Sequence, residues 1–348
     1  MNIEICKASD SNISELNILN PIGEEIWKSE FFDSRKQPSF VFAARNDSRF
    51  LGVEGYVSYQ LVKSKCTFES HRSERTIVLP ELRGQGVFNK LIDSCHNESM
   101  LHNSICCWGA TSALKPFEKA GFQSFTKWRS YYFIPLGKGF KKWRFKHFYE
   151  LITQARLFYK KRNFDDFLKL GSGLADLLLV LKKKTNWTYH QIDFTSYQSS
   201  YLVLLESTQS TFNDFAMNSS KNLFEWLEDR GVQLECIEVK DEFNEVIAIL
   251  AYRRTDYAFI LEDWVIGLNI KFSDIVVAFR AYLKASDNST VNSLIVSLNI
   301  KNEYHNWMSK SMSKWRIKSP NVGSFVIKNG IKNIDIKDLR INPIWLEL

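Results

Sequence analysis

Arg83-Gly84-Gln85-Gly86 stands between a β-branched run and an amphipathic stretch, and that order builds an anion site. Thr76-Ile77-Val78-Leu79 reads as a strand and stops at Pro80, which cannot donate to a sheet ladder. After the glycines, Val87, Leu91, Ile92 and Cys95 recur at helical spacing. Glycine lets the backbone approach a phosphate closely, and a helix N-terminus aims free N–H groups and partial positive charge at it. The helix dipole contributes only about 0.3–1 kcal/mol, so anchoring falls to several charge-assisted N–H bonds of about 1.5–3 kcal/mol each. Val78, Leu79, Arg83, Gly84, Gln85, Gly86, Val87 and Phe88 are the candidate contacts.

This turn resembles the coenzyme A signature of the GCN5-related N-acetyltransferases, Arg/Gln-x-x-Gly-x-Gly/Ala. Arg83 and Gly86 fill the first two fixed places, and Phe88 replaces the final small residue. A strand over Ile105 to Gly109 follows. Then Ala113-Leu114-Lys115-Pro116-Phe117-Glu118-Lys119-Ala120-Gly121-Phe122 is similar to the family's helix-to-strand corner. The resemblance implies an α/β (α+β) fold, a mixed sheet with helices on both faces. In that family two strands splay apart where the pantetheine arm enters, here 76–79 and 104–109. It also implies acetyl-CoA or a longer acyl-CoA as co-substrate, with no metal.

The implied reaction is attack of an amine on a thioester through a tetrahedral oxyanion. A fixed oxyanion donor is worth about 10²–10³ in rate, and the backbone N–H of Val78 or Leu79 is the candidate. Many family members place a tyrosine where this chain has Phe117, which lines the coenzyme site without a proton to give. A thiol of pKa about 8.5 leaves tolerably as the thiolate near neutrality. Ser112 either supplies a proton through water or caps the following helix. Glu54, His71 and Glu74 lie where the family often places its base, and each also reads as an ordinary strand or loop residue. Glu262-Asp263 could hold a substrate hydroxyl. Trp108, Trp128 and Trp143 could stack on a ring or belong to the core.

The chain has 348 residues, 45% hydrophobic and 14% aromatic, enough for two packed domains. Its six cysteines show neither a CxxC pair nor zinc spacing and read as reduced thiols of a cytoplasmic protein. No signal peptide is evident at the start, and the apolar run Leu177 to Leu181 is too short to cross a bilayer. The net charge of +7 concentrates between Lys138 and Arg162, among aromatic residues. That stretch reads first as a solvated basic helix face; the phosphates of a nucleotide ligand, an anionic membrane surface and nucleic acid are the alternatives, and nucleic acid is not the expected partner.

Strands are expected over 2–7, 39–44, 51–62, 76–79, 104–109 and 124–134, with a polar loop from Lys63 to Ser73. Helical spacing from Lys141 to Lys184 suggests a connector. The remainder repeats the first unit at an offset near 187–191, so that Val78 meets Val265, Ile105 meets Ile295 and Phe117 meets Met308. At the phosphate turn the second copy reads Gly267-Leu268-Asn269-Ile270-Lys271, with one glycine. The expected organisation is an acyl-CoA-binding domain at 1–136, a helical connector at 137–195 and a degenerate copy at 196–348 walling an acceptor cleft. At this architectural level the chain resembles nucleotide-sugar N-acyltransferases of surface-polysaccharide pathways such as anthrose biosynthesis. The implied acceptor is a nucleotide-linked amino sugar; a peptide, protein or antibiotic amine, or a non-catalytic coenzyme-sensing or nucleic-acid-binding role, are the alternatives. Monomer and homo-oligomer both remain open.

Overall fold

The computed structural model describes residues 3–46, 49–111, 113–125, 128–133, 186–254, 259–286, 294–299, 301–311, 317–318 and 324–342. Ser112, Trp143, the basic stretch from Lys138 to Arg162 and the connector as far as residue 185 lie outside them. The chain runs through β1 (Glu4–Ala8), α1 (Ile13–Leu19), α2 (Glu24–Trp27), β2 (Phe40–Asn46), β3 (Arg49–Lys63), β4 (Cys66–Val78), α3 (Val87–Leu101), β5 (Cys106–Thr111), α4 (Leu114–Lys119), β6 (Gln123–Phe125) and β7 (Trp128–Phe133). It continues through β8 (Thr188–Ile192), β9 (Phe215–Met217), β10 (Glu235–Lys240), β11 (Val246–Arg254), β12 (Phe259–Ile266), β13 (Leu294–Asn299), β14 (Ile317–Lys318) and β15 (Ser324–Asn329).

Two compact units result. One holds Met1–Thr126, Phe215–Asn218 and Gly323–Leu339; the other holds Lys127–Asp214, Ser219–Val322 and Arg340–Leu348. The first unit's sheet runs β1-β2-β3-β4-β5-β15-β6, and the second's runs β8-β10-β11-β12-β13-β7-β14. Along each path one neighbouring pair is parallel, β4 with β5 and β12 with β13, and the others are antiparallel. The expected repeat is therefore present strand for strand. In both sheets the sixth strand comes from the other half of the sequence.

That exchange corrects the reading of 124–134 as one strand. Gln123–Phe125 stays at the edge of the first sheet, whereas Trp128–Phe133 pairs with β13 and β14. The expected loop over 63–73 is also corrected. Ser64 and Lys65 adopt positive φ, 51° and 66°, and close a tight hairpin straight into β4. The polar residues of that strand find partners within the sheet. Ser58 donates to Glu69 at 2.6 Å, and His71 donates from Nε2 to the Pro38 carbonyl at 2.8 Å. Polarity on the sequence therefore looks like a loop while the side chains are buried and paired.

Two faces of the first sheet matter for the site. On one, α3 buries Val87, Leu91, Ile92 and Cys95, the stripe expected from spacing. Ile92 and Cys95 pack with Phe40, Tyr56, Cys107, Phe117, Phe122 and Val326. On the other, Phe31 lies so close that a Cβ on Gly55 would sit 2.3 Å from its ring. Val326 of β15 thus completes the core beneath α3 from more than 200 residues away. Val326→Asp should cost several kcal/mol by burying an unpaired charge. Hydrogen exchange should speed up across β5 and β6, the strands beside it, while β12 and β13 keep their protection.

Candidate functional site

The site begins where β4 and β5 part. They pair at His71 with Cys107 and at Arg72 with Trp108, and the register goes no further. β3 and β4 stay together, but between Val53/Ile77 and Gly55/Glu74 the register shifts, giving β4 an extra residue. Arg75 occupies this bulge with φ of 57°. Its Nε donates to Glu30 at 2.7 Å and a second guanidinium nitrogen donates to the other carboxylate oxygen.

Beyond the bulge the backbone groups alternate in a way that exposes one N–H to the gap. The Leu79 N–H donates to the Leu51 carbonyl at 3.0 Å, so Leu79 and Leu51 form a hydrogen-bonded pair. The next pair, Val78 with Gly52, is then non-hydrogen-bonded, and the Val78 N–H and C=O point away from β3 toward the gap. This separates the two candidate oxyanion donors: Leu79 is engaged and Val78 faces the opening. The Val78 carbonyl accepts from Arg83 Nε at 3.3 Å.

The turn itself takes the form the glycines were expected to allow. Gly84 and Gly86 have φ of 83° and 79°, and a Cβ at either would meet open space. Gly86 precedes α3, whose first-turn N–H groups receive no capping side chain and face no acidic residue there. Arg83, Gly84, Gln85 and Gly86 are exposed, Val87 is buried and Phe88 is half-buried. Phe88 packs edge-on against Phe117 with centroids 5.2 Å apart. The departure from a small residue at 88 is thus matched by a buried partner, and Phe117 is a core residue of the α3 face.

Glu54, on β3, is the buried carboxyl of this region. It shares the α3 face with Tyr56, and its oxygens accept from Ser73 Oγ at 2.5 Å and from Thr76 Oγ1. Burial pushes its pKa up to about 8, against the pull of the two hydroxyls. At neutral pH the group mostly holds its proton. Glu74 lies opposite Gly55 on the Phe31 face and pairs with Arg72. His71 sits where β4 and β5 are still joined, and burial pushes its pKa down to about 4, so it is neutral. Trp108 is core, stacked on Phe325 and donating from Nε1 to Ser70.

The second unit parts β12 and β13 in the same manner but fills the opening itself. The Gly267 N–H donates to the Ile247 carbonyl at 2.9 Å, as Leu79 does to Leu51, and this places Ile266 opposite Val78 in the comparison. The offset is one residue different from the expected match of Val78 with Val265. Tyr304, from the helix Glu303–Ser311 that follows β13, receives the Ile266 N–H at 2.7 Å and donates to the Ile266 carbonyl at 2.9 Å. The helix Phe272–Ser286 carries Asp274 in its first turn, unfavourable for an anion. Glu262 and Asp263, expected to hold a substrate, are both buried. Glu262 pairs with Arg253 at 2.5 Å. Asp263 accepts from Tyr197 at 3.1 Å, the Trp264 N–H at 3.0 Å, Ser219 and Asn342, which uses up its oxygens.

Among the described residues no group of histidine, cysteine and carboxylate side chains is placed to hold a metal, and no helix is long and apolar enough to cross a membrane. Glu54 gives a test of the site's electrostatics. Its folded pKa lies above the ordinary carboxylate value, so its contribution to stability is present below that value and is lost as pH rises toward 8. The melting temperature of the wild type should therefore fall relative to that of Glu54→Gln between about pH 5 and pH 8. Parallel melting curves would show the carboxyl is not desolvated.

The chain matches no family model and no curated protein. It does match solved structures. One is a conserved protein of unknown function from Enterococcus faecalis V583, a probable N-acyltransferase, at 10% identity over 94% of this chain and 73% of that one, with TM-score 0.58. Another is a GCN5-related N-acetyltransferase from Anabaena variabilis ATCC 29413, at 11% identity, the same coverages and TM-score 0.58. A tandem GNAT protein from the clavulanic acid biosynthesis pathway matches at 7% identity over 96% of this chain and all of its own, with TM-score 0.51. The fold is that of the GCN5-related N-acetyltransferases, in a tandem arrangement.

Proposed function

We propose that this chain is an N-acyltransferase that moves an acyl group from acyl-CoA to an amine, with the amino group of a nucleotide-linked amino sugar as acceptor and the cytoplasm as its place of work. The observation that carries the reading is the pairing, in the first unit, of an exposed two-glycine turn at the start of α3 with a backbone N–H of Val78 turned into a strand gap. The turn suits the pyrophosphate and the gap suits the pantetheine arm. Val78 would stabilise the oxyanion as the amine attacks the thioester carbonyl, an effect worth about 10²–10³ in rate. Glu74, on the opposite face from α3, is the proposed acceptor of the amine's proton, worth about 10²–10⁴ if it is well placed. The positive charge concentrated in the sequence from Lys138 to Arg162 supports an acceptor bearing phosphates.

A second reading, a coenzyme-sensing protein without transfer, is favoured by Phe117, which has no hydroxyl for the leaving sulfur. Thiol release from acetyl-CoA separates the two. UDP- and dTDP-linked amino sugars should release coenzyme A thiol faster than peptides or aminoglycosides; release with peptides alone would reject the sugar acceptor, and release with none would favour the sensor.

Two binding predictions follow from the turn and from Tyr304. Gly86→Glu forces a left-handed φ on a side chain and adds negative charge beside the pyrophosphate, so calorimetric affinity for coenzyme A should fall at least about 100-fold while the circular dichroism stays unchanged. Titration of the wild type should give one coenzyme per chain, because Tyr304 already occupies the backbone groups of the second gap. Two equivalent sites would mean that this hydroxyl is displaced.

A further inference from the structure

Phe117 leaves the coenzyme sulfur without the hydroxyl that its helix could have offered, and the first unit places another hydroxyl nearby. Thr76 lies two residues before Val78 on β4, about 7 Å along the strand and, like Val78, on the α3 face. An arm that starts at the Gly84–Gly86 turn and follows the gap-facing edge of β4 meets Val78 first and Thr76 next. Thr76 is partly exposed, whereas Glu54 behind it is fully buried. Thr76 and Ser73 are the two hydroxyls that hold the Glu54 carboxyl.

We propose that Thr76 protonates the departing coenzyme A sulfur and that Glu54 resupplies the proton. The inference rests on the acyltransferase reading above. When Glu54 is protonated, its O–H points at one of its two hydroxyl neighbours, and that neighbour's own hydrogen is released to point elsewhere. Of the two neighbours Thr76 is the partly exposed one, whereas Ser73 is buried. As the amine nitrogen bonds to the carbonyl carbon, the carbon–sulfur bond breaks and its electron pair goes to sulfur. The Thr76 hydroxyl gives its proton to that sulfur and takes one from Glu54. The carboxylate left behind regains a proton from solvent by way of the partly exposed Thr76 hydroxyl, and the proton the nitrogen sheds goes to Glu74 and from there to solvent. The products are an amide and the free thiol.

The groups that face Glu54 suit a proton store. From β4 come the Ser73 and Thr76 hydroxyls, from its own strand Tyr56 and from α3 Cys95, while the Glu74 carboxylate on the other face discourages a second negative charge. Burial pushes the last two well above their ordinary pKa, so neither competes for ionisation near neutrality.

The test uses the full chain, acetyl-CoA, its oxygen-ester analogue and the amine of the panel that releases thiol fastest. Thr76→Val should lower kcat with acetyl-CoA about 100-fold and with the ester, a poorer leaving group, by more, while coenzyme affinity by calorimetry is unchanged. Thr76→Ser should restore most of the rate. The wild-type kcat should decline as pH rises through about 8, and Glu54→Gln should be slow but lack that decline. Equal losses for the two donors, or an alkaline decline that survives in Glu54→Gln, would overturn the relay and leave the acyltransferase reading intact. Coenzyme binding with no transfer to any amine would overturn both.

Discussion

The ion pair between Glu30 and Arg75 is the constraint on which the first site turns. Glu30 is buried, and two guanidinium donors satisfy its carboxylate. To reach it, Arg75 takes a left-handed backbone conformation that a side chain normally avoids. The extra residue at that point shifts β4 against β3, and a bulged strand bends and twists more strongly than its neighbours. β5, fixed at Cys107 and Trp108, does not follow. Removing either charge would leave the other stranded in a poorly solvated place, so the conformation and the charges hold one another.

What the bulge opens, the two units use differently. A strand N–H turned away from its ladder must find another partner, because a buried and unpaired donor costs free energy comparable to a lost hydrogen bond. In the second unit Tyr304 satisfies both backbone groups of Ile266 with a single hydroxyl. In the first unit Arg83 donates to the Val78 carbonyl, and Phe117, on the helix comparable to that of Tyr304, turns into the core. One copy is closed by its own side chain, and in the other the Val78 N–H faces the gap. The loss of glycines from the second turn and the gain of Tyr304 are consistent with one another.

The carboxyls show why distance along a strand is a poor guide to role. Glu54 and Glu74 both stand on central strands, yet a bulge and the alternation of side chains put them on opposite faces. Glu54 is desolvated and keeps its proton to about 8. Glu74 meets the Arg72 guanidinium instead. Environment, not residue type, sets how readily a carboxyl ionises.

Local pieces of the fold were readable from residue pattern alone. The glycine spacing of 84 and 86, the stripe Val87, Leu91, Ile92 and Cys95, and the strands expected over 2–7, 39–44, 51–62 and 104–109 follow from backbone freedom and periodicity, which act over a few residues. The missing phosphate turn after β12 was legible for the same reason. Which strand fills the sixth place of each sheet is set by long-range pairing, since Trp128–Phe133 and Ser324–Asn329 are equally strand-like and neither carries a mark of its partner. Such pairing decided, too, that Glu69, His71 and Arg72 belong to a buried strand, because the atoms that satisfy them, Ser58 Oγ, the Pro38 carbonyl and Glu74 among them, come together only in the sheet. The choice of Val78 over Leu79 as the N–H that faces the gap was decided there as well, for it depends on a one-residue register that the two leucines, Leu51 and Leu79, fix across β3 and β4.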